Sequence, residues 1–149
     1  MVKLQRAITI HAPVDRVFAY MNDPCNLPEI WPSMVEVKDV KPNPKGGHDF
    51  GWVYKMAGMR FDGASEMVEY EANRRMATQS TKGIESRFAW TFETVDGDTR
   101  LSVEIEYNVP IPLLGRLTEA LIVKQNEHEA ATLLENLKSR MEVGTRVEA

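Results

Sequence analysis

From Met34 onward about seventy residues carry the punctuation of successive β-strands, and they give way to one helical segment without a proline. Turn residues cluster at Asn43 to Gly47, Ala72-Asn73, Lys82-Gly83 and Asp96-Gly97-Asp98. Between them Phe50, Trp52, Tyr54 and Met56 alternate with smaller or polar residues, as do Phe88, Trp90 and Phe92, and then Leu101, Val103, Ile105 and Tyr107. A strand turns alternate side chains to opposite faces, so three strands put their largest residues on one side of an antiparallel meander. Phe61 to Tyr70 and Arg74 to Thr81 are more polar and are read as strands from their place between turns. After Pro110-Ile111-Pro112, the stretch from Leu113 to Met141 has only Gly115 to weaken it, which predicts one helix roughly 40 Å long. Gly144 is its expected stop, with Thr145 to Ala149 fraying beyond it. An aromatic sheet face must be covered, and this helix is the one element large enough.

The N-terminal third supplies the remaining pieces. Val2, Leu4, Ile8 and Ile10 alternate with Lys3, Gln5 and Thr9, a half-buried strand with Arg6 on its apolar face. Pro13 opens a helix in which Val14, Val17, Phe18 and Met21 recur at three- and four-residue steps. Asn22-Asp23-Pro24 ends it and starts a second short helix, Asn26 to Ile30, closed by Pro32. The expected fold is therefore α+β in the order β-α-α-β6-α, a helix-grip arrangement in which a curved antiparallel sheet wraps around the C-terminal helix. With 149 residues and no linker, repeat or low-complexity stretch, one domain spanning 1–149 is expected.

Along the long helix, Ala120, Val123, Glu127, Ala130, Leu134, Leu137 and Met141 form a stripe predicted to face the sheet. The neighbouring row of Leu114, Leu117, Leu121, Lys124, His128, Ala131 and Glu135 begins apolar and turns polar. Small residues in the middle of the helix, opposite Trp52, Tyr54, Trp90 and Phe92, either let it pack closely or leave a gap. An apolar gap with a few converging polar groups is the ordinary form of a small-molecule site.

Composition narrows the function classes. Charged residues of both signs are interspersed at 27%, with a formal net charge of -4, so no concentrated basic face for nucleic acid is expected. The one cysteine, Cys25, cannot form an internal disulfide, and Cys and His show no metal-ligand spacing. No Gly-rich phosphate cradle is present, so no cofactor is expected. The alternating N-terminus, MVKLQRAITIHAP, reads as neither signal peptide nor membrane span, which predicts a cytoplasmic protein without integral membrane association.

Particular residues carry a family resemblance. Ile8 to Pro32, ITIHAPVDRVFAYMNDPCNLPEIWP, resembles the opening of the SRPBCC superfamily, which includes START-type lipid-transfer domains and polyketide cyclases and dehydratases. Gly115 to Lys138 is similar to the terminal helix of its bacterial polyketide cyclase and lipid transport members. The resemblance spans nearly the whole chain and implies a START-like domain that holds a hydrophobic ligand, such as a lipid, isoprenoid, quinone or polyketide. It implies a cavity wall at Trp31, Trp52, Tyr54, Trp90 and Tyr107, with Leu117, Leu121, Lys124 and His128 on the helix. No universal catalytic motif is carried over.

Three functions are weighed: a carrier of a hydrophobic or amphipathic small molecule, a polyketide cyclase or dehydratase, and a protein-interaction module with a filled core. For the enzyme, His128 and Glu127 are the candidate proton carriers. The plain alternatives are a solvated His128 and a Glu127 paired with Arg6 or Lys124. Arg6 itself is expected to pair with a carboxylate or to meet an acidic head group. Cys25 is expected to be an inert thiol, and His11 and His48 to be surface residues. The loop from Lys41 to Gly47 is either a cavity gate or a plain hairpin connection. Ligand identity, the choice between carrier and enzyme, and oligomeric state stay open.

Overall fold

The computed structural model describes residues 1–114 and 118–148, with 144–148 as backbone only. Strand β1 (Val2–Ile10) leads into helix α1 (Val14–Asn22), a single tight turn at Pro24–Asn26, and α2 (Leu27–Ile30). Six strands follow: β2 (Met34–Pro42), β3 (His48–Met56), β4 (Met59–Glu71), β5 (Arg75–Lys82), β6 (Ser86–Val95) and β7 (Asp98–Tyr107). The chain closes with α3 (Ile111–Leu114) and the long α4 (Glu119–Glu148). The strands make one antiparallel sheet in the order β1-β7-β6-β5-β4-β3-β2. This is the expected helix-grip arrangement, with α3 as an added turn before the long helix.

The alternation seen in sequence sets the faces. In β6 and β7, Trp90 opposes Val103 and Phe92 opposes Leu101 across the ladder, all four buried. The turns fall where their chemistry allows: Asn73, Gly83, Asp96 and Gly97 all take positive φ, which Gly and Asn adopt with least strain. A turn not flagged in sequence joins β3 to β4 through Ala57 (φ 50°) and Gly58 (φ 81°). Two register shifts in the β4–β5 pair, at Ala64/Ser65 and Met67/Glu69, bend the sheet. At the bend Gly63 supports the Trp52 ring, since a Cβ there would lie 2.2 Å from Trp52 Cζ2.

The C-terminal helix departs from expectation at both ends. Instead of one helix from Leu113, the short α3 precedes α4, whose first turn is capped by Thr118: its Oγ1 accepts the Leu121 N–H at 3.3 Å. At the other end the helix runs past Gly144 to Glu148. One mid-helix glycine costs only about 1 kcal/mol relative to alanine and does not compel a stop.

The second half of α4 is tightly fastened. Leu133, Leu134, Leu137 and Met141 are buried in the core with Ile10, Val17 and Ile30. Asn136 Nδ2 donates to the Ile30 carbonyl (2.9 Å), and Lys138 Nζ donates to the Thr9 carbonyl (2.9 Å). The buried Glu142 accepts the His11 N–H at 2.9 Å and pairs with Lys138. Arg140 reaches Glu29, which also accepts the Tyr20 hydroxyl, so α1, α2 and α4 are tied together.

A candidate ligand cavity

Between the concave face of the sheet and the first half of α4 lies a cavity of about 110 Å³. A single water needs roughly 10–15 Å³ of such space, so the gap exceeds an ordinary packing defect. Its walls come from nearly every element: Leu4 of β1, Met21, Asn22 and Leu27 around α1 and α2, the inward residues of β3 to β7, and Asn126, Glu129, Ala130 and Leu133 of α4.

Of the residues expected at the wall, Trp31, Trp52, Tyr54, Trp90 and Tyr107 line it. These include all three tryptophans of the chain. Trp31 is held edge-on against Tyr54 (ring centroids 5.4 Å apart) and Phe88 (5.2 Å), and Trp52 Nε1 donates to Ser65 Oγ at 3.0 Å. Leu117 lies outside the described residues. Leu121, Lys124 and His128 are exposed and are not part of the wall. Glu127 is half-exposed, pairs with Arg6 at 3.6 Å and is likewise not part of the wall. Arg6 stands on the inward face of β1 as expected, with Glu127 as its carboxylate partner.

The correction has one cause. The first half of α4 presents Ile122, Asn126, Glu129, Ala130 and Leu133 inward, a row rotated from the expected stripe through Ala120, Val123 and Glu127. Apolar periodicity selects the row that suits a filled core, whereas the row over the cavity carries Asn126 and Glu129.

Three further features were not anticipated. His48 lines the cavity instead of lying on the surface, because it continues the inward alternation of Phe50, Trp52 and Tyr54 by one step. Its Nδ1 lies 3.0 Å from the Asn22 carbonyl, a contact that requires Nδ1 to carry the proton. Glu129 accepts the Ser33 N–H at 2.7 Å from within the wall. The loop around Asn43 is fastened: Asn43 Nδ2 donates to Asp49 Oδ1 (2.9 Å) and to the Met67 carbonyl (3.2 Å), and Gly46 lies flat against the Tyr70 ring.

The two tyrosines of the wall are held in their neutral form. Burial raises the Tyr54 hydroxyl far above the ordinary phenol range, the Glu129 charge adds to this, and Trp31 and Ser33 oppose it only weakly. Tyr107 is also raised by burial, although Asn126 Nδ2 donates to its hydroxyl at 2.9 Å. Elsewhere, desolvation followed by the Asp23 charge and hydrogen bond holds the Cys25 thiol above its usual value, which disfavours the reactive thiolate. Among the described residues no group of His, Cys, Asp and Glu is arranged to hold a metal ion, and no helix is long and apolar enough to cross a membrane.

The family described as polyketide cyclase / dehydrase and lipid transport matches residues 1–142. Among curated proteins none matches the sequence. A protein from Thermus thermophilus is similar in structure, with a TM-score of 0.75, 23% identity, and coverage of 96% of this chain and 99% of that one. A START superfamily protein from Mycobacterium smegmatis has a TM-score of 0.78 at 13% identity, covering 94% and 97%. The Zhui aromatase/cyclase from Streptomyces has a TM-score of 0.74 at 16% identity, covering 95% and 93%. Likenesses at this level of identity show the fold alone. The family match over nearly the full length shows more: the chain belongs to the polyketide cyclase / dehydrase and lipid transport family.

Proposed function

Starting from that membership, we propose that this chain binds a hydrophobic or amphipathic small molecule between its sheet and the first half of α4. The observation that carries the reading is the cavity itself. An empty apolar void costs about 24 cal/mol per Å³, so 110 Å³ left vacant would cost on the order of 2–3 kcal/mol. An occupant recovers that cost by filling contacts that the protein leaves unmade. The same cavity weighs against a filled-core interaction module. A cytoplasmic site of action goes with the reading, in keeping with the lone cysteine.

Native mass spectrometry of gently purified protein tests this. A mass excess released on denaturation, and a thermal upshift with members of a lipid, isoprenoid and polyketide panel, are the expected results. Absence of both across the panel overturns the reading.

A cyclase-type activity is the second reading, and one observation favours it: a carboxylate, Glu129, stands in the wall. Proton transfer in the cavity would then fall to Glu129. Glu129→Gln would abolish turnover of a bound polyketide while leaving its retention intact. Turnover that survives the substitution removes the enzyme reading in this form.

A further inference from the structure

Hydrogen bonding and charge along the wall restrict what can occupy it. Trp31 is buried, its ring lines the cavity, and its indole N–H has no hydrogen-bond partner among the described residues. It leans toward the Tyr54 oxygen without closing a hydrogen bond to it. A buried N–H left unsatisfied costs about 1–3 kcal/mol, and an acceptor on a guest removes that penalty. The described wall contains no lysine or arginine, while Glu129 presents a carboxylate of which only one oxygen is engaged, by Ser33. A guest carboxylate would therefore be desolvated beside a like charge with no lysine or arginine to compensate it, and His48, the one histidine of the described wall, has its Nδ1 engaged with the Asn22 carbonyl.

Resting on the ligand-holding reading above, we propose that the cavity selects an uncharged guest bearing a carbonyl-type oxygen, which accepts the Trp31 indole N–H, and discriminates against carboxylates of the same shape. Glu129 is the residue that enforces the charge selection, since it is the carboxylate of the described wall. Free fatty acids and other anionic lipids fall outside the accepted class; ketones, quinones and neutral aromatic polyketides fall within it.

Isothermal titration of the purified protein with three naphthalenes, carrying an acetyl, an ethyl or a carboxylate group, isolates each element on one ring system. The expected order is acetyl tightest, ethyl weaker and carboxylate weakest, with at least about tenfold between the first and last. Glu129→Gln keeps an acceptor for the Ser33 N–H and should tighten carboxylate binding selectively. Trp31→Phe should bring the acetyl and ethyl compounds to nearly equal affinity, a ratio that a general loss of packing would not alter. If the carboxylate binds wild-type protein as tightly as the ketone, charge selection is overturned while ligand binding stands. An acetyl-to-ethyl ratio unchanged in Trp31→Phe overturns the role of Trp31. If none of the three binds while native mass spectrometry shows a retained guest, this inference fails and the ligand-holding reading stands.

Discussion

The two halves of α4 lie over the same sheet and do opposite things. From Leu133 to Glu142 the helix is interlocked with β1, α1 and α2 through buried leucines and bonds to Ile30, Thr9 and His11. From Ile122 to Ala130 it stands over the aromatic concavity with a gap beneath it, joined to the opposing wall through Asn126 to Tyr107 and Glu129 to Ser33. One helix therefore anchors the fold with its second half and roofs a chamber with its first. On the proposed reading, stability and ligand capacity are separable by position along a single element, because the first half can stay loosely packed only while the second is held.

The separation can be broken most severely at Leu137, which is fully buried. Leu137→Ala should cost about 2–5 kcal/mol of unfolding free energy, read by urea denaturation, while the surviving folded protein keeps its ligand affinity. Equal losses in both would mean that the halves are not independent. Next comes Glu142. Burial alone would raise its carboxyl, but the Lys138 hydrogen bond, the His11 N–H and the Lys138 charge outweigh burial and hold it below the ordinary value. A depressed folded value stabilises the native state above the unfolded pKa of 4.5, and that stabilisation is lost as pH falls through the folded value. Glu142→Gln should remove about 1–3 kcal/mol at neutral pH, with the difference from wild type narrowing on acidification below pH 4.5.

Gly63→Ala acts on the sheet side of the chamber. The new Cβ meets Trp52 and the Lys82 carbonyl, 2.6 Å away, so the indole must shift. We expect a loss of about 1–3 kcal/mol together with weakened binding, measured by thermal melting and titration. The smallest effect on stability comes from filling the roof. Ala130→Leu should leave stability within about 1 kcal/mol of wild type, or raise it slightly, yet weaken binding by at least tenfold. Unimpaired binding in that variant would mean that the guest lies elsewhere.

Much of the architecture was legible because burial and period agree there. The strand Val2–Ile10, the aromatic alternation of β3, β6 and β7, and turns such as Asp96-Gly97 follow from side chains that serve one purpose. Legibility failed where the two purposes part. Over the cavity the inward helical row contains Asn126 and Glu129, so an apolar stripe points to the wrong face and draws attention to Glu127, Lys124 and His128. His48 was lost for a similar reason: beside Gly46 and Gly47 it reads as loop, although it shares the parity of Phe50. The five aromatic wall residues are legible because a large ring alternating onto a concave face lines the space beneath the helix, whatever fills that space. The extra turn α3 and the Thr118 cap depend on local bonds that proline-free length does not encode.

Because Trp31, Trp52 and Trp90 all face the chamber, the chain's entire indole emission reports on its contents. Titration with N-phenylnaphthylamine, an uncharged fluorescent ring system, should therefore produce a saturable fall in tryptophan emission with a matching rise in dye emission, and Ala130→Leu should suppress both. A folded wild-type protein whose emission does not respond, or a filled variant that responds as strongly as wild type, would contradict the claim that a guest sits between sheet and helix.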